Sequence, residues 1–201
     1  MHAEHEVLDS DSVGDPSRFL SLSHLERALL GLTPAPTDEG SVFLIVRRVA
    51  GGRRQIMDGI TLSVDGGLPG DAWGRRGQRD PEMQIAVMQT SVAELIANGQ
   101  PLTLFGDNLI MNLDLCAANL PAGSRLRVGR ALVQVTPFPH NGCAKFRARF
   151  GPDALRLVSM KELRHRNLRG IYMRVVEPGE VRPGDAVKVL ARASAAEVKD
   201  A

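Results

Sequence analysis

The chain has 201 residues, 43% hydrophobic and 24% charged, with a formal net charge of +2. That length suits one domain with a core large enough to need no disulfide or metal staple. No apolar run approaches the roughly 20 residues of a membrane helix. A near-neutral charge and an aromatic content of 4% argue against nucleic-acid binding, which needs basic surface and stacking platforms.

Residues His2 to Ser17 hold five acids and no Lys or Arg. A secretory signal begins basic and turns apolar, so this opening reads instead as a solvated, poorly ordered tail over 1–17. A helix is expected from Arg18 to Leu30, stopped by Gly31, Pro34 and Pro36, within a short N-terminal extension over 18–40. From 41 to 190 the pattern turns mostly to alternation with frequent turns, the pattern of short β-strands. Val42–Arg48 is a β-branched strand, and Ile60–Val64 ends at Asp65-Gly66-Gly67. Met83–Met88 reads as a buried strand leading into a helix. Ser91 and Glu94 have the spacing of a capping box at the start of that helix. Asn108–Leu113 follows, then a hairpin of Ser124–Val128 and Ala131–Val135 turning at Gly129-Arg130. Helices are expected over Cys143–Phe150 and Asp153–Arg166, and strands over Ile171–Val176 and Ala186–Leu190; residues 191–201 form a polar tail. Many short strands with few helices imply a β-rich α+β fold, a barrel with peripheral helices, rather than a doubly wound sheet.

Chemistry concentrates near the C-terminus. Between His140 and Arg174 there are nine Lys or Arg residues against two acids, Asp153 and Glu162. The two cysteines, Cys116 and Cys143, stand in a chain without an export signal, so a cytoplasmic location and free thiols are expected. Cys143 follows Pro137, Pro139, His140 and the Asn141-Gly142 turn, where a helix is expected to begin. Lys145 and Arg147 lie close by in sequence. Positive charge and unpaired helical amides favour thiolate, the form that attacks or binds a soft metal. The competing reading is a small buried hydrophobe. Cys116 reads as structural. A zinc site from Cys143, Cys116 and His140 lacks the paired cysteines such sites use, and His2 with His5 lies in the tail. Asp71 and Asp107, each beside glycine, suit either acid–base work or turn capping.

The segment Thr136-Pro137-Phe138-Pro139-His140-Asn141-Gly142-Cys143 resembles the cysteine motif of the MOSC family, named for the C-terminal domain of molybdenum-cofactor sulfurases. Further landmarks occur in the family's order: Gly70-Asp71-Ala72-Trp73, Phe105-Gly106-Asp107-Asn108-Leu109, Leu126-Arg127-Val128-Gly129, Arg169-Gly170-Ile171-Tyr172 and Pro183-Gly184-Asp185. Together the likeness spans roughly residues 40 to 190. It differs in placing Gly142 where many relatives have proline. The resemblance implies a barrel like the small β-barrel domain of pyruvate kinase. It implies that Cys143 ligates the molybdenum of a pterin cofactor or carries sulfur as a persulfide. Asp107 would be a second catalytic residue. His140, Asn141, Gly142, Lys145, Arg147, Arg166, Arg169 and Asn108 would surround the cofactor.

Reductases of N-hydroxylated compounds are among such relatives. A redox role would need a small-molecule substrate and a separate electron-donor protein, since two cysteines cannot hold an iron–sulfur cluster. Pyridoxal phosphate does not suit the chain. Its four lysines, Lys145, Lys161, Lys188 and Lys199, offer no Schiff-base domain. The alternative to an oxidoreductase is a sulfur-carrying or cofactor-handling module acting through Cys143.

Overall fold

The computed structural model describes residues 7, 8 and 13–193. Eleven strands are present: β1 (Val7–Leu8), β2 (Glu39–Arg48), β3 (Arg54–Ile56), β4 (Ile60–Leu62), β5 (Ile85–Gln89), β6 (Leu109–Asn112), β7 (Arg125–Val128), β8 (Ala131–Val135), β9 (Ile171–Glu177), β10 (Gly179–Val181) and β11 (Ala186–Ala191). Four α-helices accompany them: α1 (Leu22–Leu30), α2 (Thr90–Ala97), α3 (Ala144–Phe150) and α4 (Pro152–Ser159).

Seven strands close on themselves in the order β2-β11-β7-β8-β9-β5-β6, and β6 returns to β2. Every seam is antiparallel except β5–β6, so the barrel is mixed. Closure leaves none of the seven with a free edge. The far half of β2 leaves the barrel to pair with β3, which carries β1 on its other side. β4 and β10 form a separate ribbon.

Alternation along β5 and β6 builds two cores. Val87, Leu109 and Met111 point into the barrel with Ile45, Leu126, Val133, Met173 and Val187. Met88 and Ile110 point outward against Leu25, Ile96, Phe146, Phe150 and Leu157 of the helices. Burial on both faces explains why these two strands read as unbroken apolar runs. Phe105 stacks on Phe150 with centroids 4.1 Å apart and locks α3 against the barrel wall.

Several boundaries differ from expectation for local reasons. α1 begins at Leu22 because the Ser21 hydroxyl caps the His24 amide and Asp153 accepts from the Leu22 amide. The capping box at Ser91 does not form. The helix begins two residues earlier, at Thr90 with Gln89 as its N-cap, and the Ser91 hydroxyl instead meets the Gln89 side chain at 2.9 Å. The expected Asp153–Arg166 helix is broken at extended Met160 into α4 and a 3-10 segment, Lys161–Arg166. Lys161, Glu162, Arg164 and His165 are exposed, so no apolar stripe carries an α-helix through them. Within the expected tail, Val7 pairs with Gln55 and Leu8 with Arg54, and the Gly14 amide donates to the Ala148 carbonyl. Arg192 reaches back to Asp38, Thr37 and Asn119.

Candidate functional site

The connection from β8 to α3 presents the cysteine segment at one end of the barrel. Thr136 donates through its hydroxyl to the Glu82 carbonyl at 2.6 Å, fixing where the chain leaves the sheet. Gly142 lies against α4. A Cβ there would fall 2.5 Å from the Leu155 side-chain tip and 3.1 Å from Val158, so any larger residue would have to displace Leu155. Cys143 is the N-cap of α3, its carbonyl accepting from the Arg147 amide at 3.0 Å. Its side chain makes no capping bond, and its thiol is free and exposed.

Behind this segment lies a buried polar cluster. Asp107 is 2% exposed and accepts from Arg169 Nη1 at 2.7 Å. Its other oxygen, Oδ1, faces His140 Nε2 at 3.5 Å. The imidazole rests on Tyr172, centroids 4.3 Å apart, and the Arg169 guanidinium lies 5.3 Å from the Phe146 ring centre. Arg48 clasps Asp71 through Nε and Nη2 and touches Asn108 Oδ1 at 3.2 Å, while buried Arg54 lies over Gly106. Three buried or half-buried guanidinium groups therefore surround two carboxylates. Among the side-chain atoms left without a hydrogen-bond partner are Asp107 Oδ1, His140 Nδ1 and Arg169 Nε.

The electrostatics follow from burial. Burial pushes the His140 imidazole well below its ordinary value, and the Arg169 and Arg48 charges push it further, so it is neutral near pH 7. Burial also pushes the Asp107 carboxyl up, against the pull of Arg169, Arg48 and Arg54. Burial acts upward on Asp71 too, but the hydrogen bonds and charge of Arg48 outweigh it and hold that carboxyl below the ordinary range.

The residues expected at the site thus divide. Asp107, His140 and Arg169 come together, and Asn141, Gly142 and Cys143 continue from them. Lys145 and Arg147 are exposed on the first turns of α3. Asn108 is wholly buried and spent on the barrel seam, its Oδ1 accepting from the Ala86 amide and its Nδ2 donating to the Val46 carbonyl. Arg166 is placed elsewhere, in a cavity it shares with Cys116, Asp114 and His165 but not with Cys143. Asp71 serves Arg48 and caps the Trp73 amide at 2.9 Å, which makes it a brace for the cluster. Sequence reasoning missed Arg48, Arg54 and Tyr172. His2 and His5 lie outside the described residues.

A family model for the MOSC domain matches residues 75–188, more than half of the chain. The chain belongs to the MOSC domain family. That family is associated with molybdenum-cofactor binding. No curated protein matches the chain in sequence. Among solved structures, the chain is similar to the YuaD protein from Bacillus subtilis, at 18% identity and a TM-score of 0.56, covering 74% of this chain and 94% of that one. It is similar to YiiM from Escherichia coli at 22% identity and a TM-score of 0.52, covering 77% and 71%. For YiiM from Geobacillus stearothermophilus the values are 19% and 0.53, covering 81% and 78%. At these identities the likeness speaks for the MOSC-type barrel alone.

Whether the residues suit the family's cofactor is decided by the donor set. Among the described residues no group of three or more His, Cys, Asp or Glu could enclose a metal ion. A metal already chelated by a pterin needs one soft protein donor, and the free, exposed Cys143 thiol is one. The unpartnered polar atoms on Asp107, His140 and Arg169 offer hydrogen-bonding capacity behind it. The residues present fit. Among the described residues, no helix is long and apolar enough to cross a membrane.

Proposed function

We propose that this MOSC protein is a molybdenum-cofactor-dependent oxidoreductase that reduces N-hydroxylated or related small molecules, with Cys143 as the thiolate ligand to molybdenum. The exposed thiol of Cys143, three residues along the chain from His140 of the buried Asp107–His140–Arg169 cluster, is the observation that carries the reading. When bound, the cofactor supplies the two-electron chemistry at the N–O bond. Lys145 and Arg147, exposed on α3, would supply positive charge to an anionic pterin phosphate. Reduction of an N-hydroxyl group consumes two electrons and two protons and releases water together with the amine. The electrons come from a separate donor protein. His140, neutral near pH 7 with Nδ1 unpartnered, holds or accepts a proton at that atom. Asp107, fixed by Arg169, presents Oδ1 to the imidazole Nε2 at 3.5 Å.

One observation also favours a second reading. A thiol that is exposed and bonded to nothing is equally suited to carry a sulfane sulfur as a persulfide. Metal analysis separates the two. Protein made in a cofactor-producing host should hold stoichiometric molybdenum, and the Cys143→Ala variant should hold none. No molybdenum in either sinks the oxidoreductase, and an intact mass raised by one sulfur on Cys143 supports the carrier.

A further inference from the structure

The outer face of β7, β8 and β9 carries a charge pattern that the cysteine site does not use. Arg125, Gln134 and Arg174 are direct cross-strand neighbours in one row. Two strand spacings put the arginine backbones roughly 10 Å apart, within converging reach of two guanidinium arms. Gln134 Oε1 accepts from Arg174 Nε and Nη2 at 3.1 and 2.8 Å, and its amide donates to the Gly123 carbonyl at 3.1 Å. The Arg174 fork is therefore braced with Nη1 left over. Neither Arg125 nor Arg174 forms an ion pair with a carboxylate among the described residues. Two residues along β7 on the same face, Arg127 is neutralised by Glu177 of β9 at 2.9 Å. The sheet thus pairs one arginine across the strands and leaves the adjacent row doubly positive.

That row is the shared wall of two open cavities of about 450 and 630 Å³. One continues past Thr136 and Pro137 towards the start of the cysteine segment. The other runs over Val64 and Val176 to Arg79. Both volumes fall in the range of small-ligand sites. A carboxylate is satisfied by one guanidinium fork, whereas two guanidinium charges without a carboxylate partner match a dianionic, multi-acceptor phosphate. Apolar surface on both sides leaves room for an organic group.

We propose that this row binds a small organic phosphomonoester, with Arg125 and Arg174 holding the phosphate and Gln134 bracing Arg174. Glu82 and Asp65 line the cavities at either side and oppose the anion, so the site is selective for a ligand whose charge is concentrated at the arginines.

Titration of the full chain with 5′-AMP and ribose 5-phosphate, with adenosine as the uncharged control, tests this by calorimetry or ³¹P NMR line broadening. Both phosphates should bind and adenosine should not. Arg125→Gln and Arg174→Gln should each weaken binding at least tenfold, Arg127→Gln should leave it unchanged, and Glu82→Gln should tighten it. The proposal is overturned if neither ester binds at millimolar concentration, or if adenosine binds as tightly as AMP. It is also overturned if inorganic phosphate matches the esters, or if Arg127→Gln weakens binding as much as the other two. Cys143→Ala should bind AMP normally, which keeps the outcome independent of the cofactor reading.

Discussion

Asp107 is buried and bonded to one cation while its second oxygen looks towards a neutral imidazole. Removing Arg169 would strand that carboxylate, and loss of one partner of a buried ion pair costs about 3–5 kcal/mol. Arg169→Met should therefore lower the urea unfolding free energy by about that amount, while Lys145→Met on the exposed helix face changes it little. His140 adds a pH dependence whose sign is fixed. Its folded value lies below the ordinary 6.5, so below pH 6.5 the unfolded chain takes the proton first. Stability should be full above about pH 6.5 and fall as pH drops towards the folded value; denaturation curves of His140→Phe should lose that part of the slope. Asp71 acts lower, with stability present above 3.8 and lost as pH falls through its depressed folded value. Cys143, His140, Asp107 and Arg169 could be picked from the sequence because a motif or a glycine neighbour marked each. Arg48 and Arg54 could not. Arg48 clasps Asp71, 23 residues away, and nothing local to a β-strand arginine tells of a distant carboxylate.

Elements were easier to read than their ends. The hairpin of β7 and β8 follows directly from alternation around Gly129-Arg130, and the helix at Cys143 follows from the glycine turn before it. The misread starts of α1 and α2 were decided by which hydroxyl or carboxylate reached which amide, a choice that pattern alone leaves open. Two glycines fix the elements around the site. Gly142→Ala should cost about 1–3 kcal/mol in thermal or chemical denaturation, because Leu155 must move for any side chain there. Gly170 enters β9 at φ +95°, with the Val87 carbonyl 2.0 Å from where a Cβ would stand. Gly170→Ala should therefore cost more than Gly142→Ala, since a paired strand cannot yield as a leucine tip can. Gly77, with open space around it, supplies the neutral control.

At the scale of the whole molecule, the barrel interior and the helical layer are separate cores sharing the β5–β6 wall. Strands closed on both sides have no exposed backbone to open from, whereas the helices are short, and α2, α3 and α4 begin without a side-chain cap. Native-state hydrogen exchange should find the amides of α1, α3 and α4 exchanging through openings of lower free energy than those of β5, β6 and β9. Equal protection in both layers would contradict this division. Leu126→Ala, inside the barrel, should lower global stability by about 2–5 kcal/mol and move both layers together. The order of strands also bears on how the protein is made. β11 sits between β2 and β7, yet it is the last strand among the described residues. Synthesis releases the N-terminal strands first, so β2 and β7 must wait with bare edges until residue 191 has emerged. During that interval the nascent chain is a sheet with a missing stave, its bare strand edges open to pairing with neighbouring chains on the polysome.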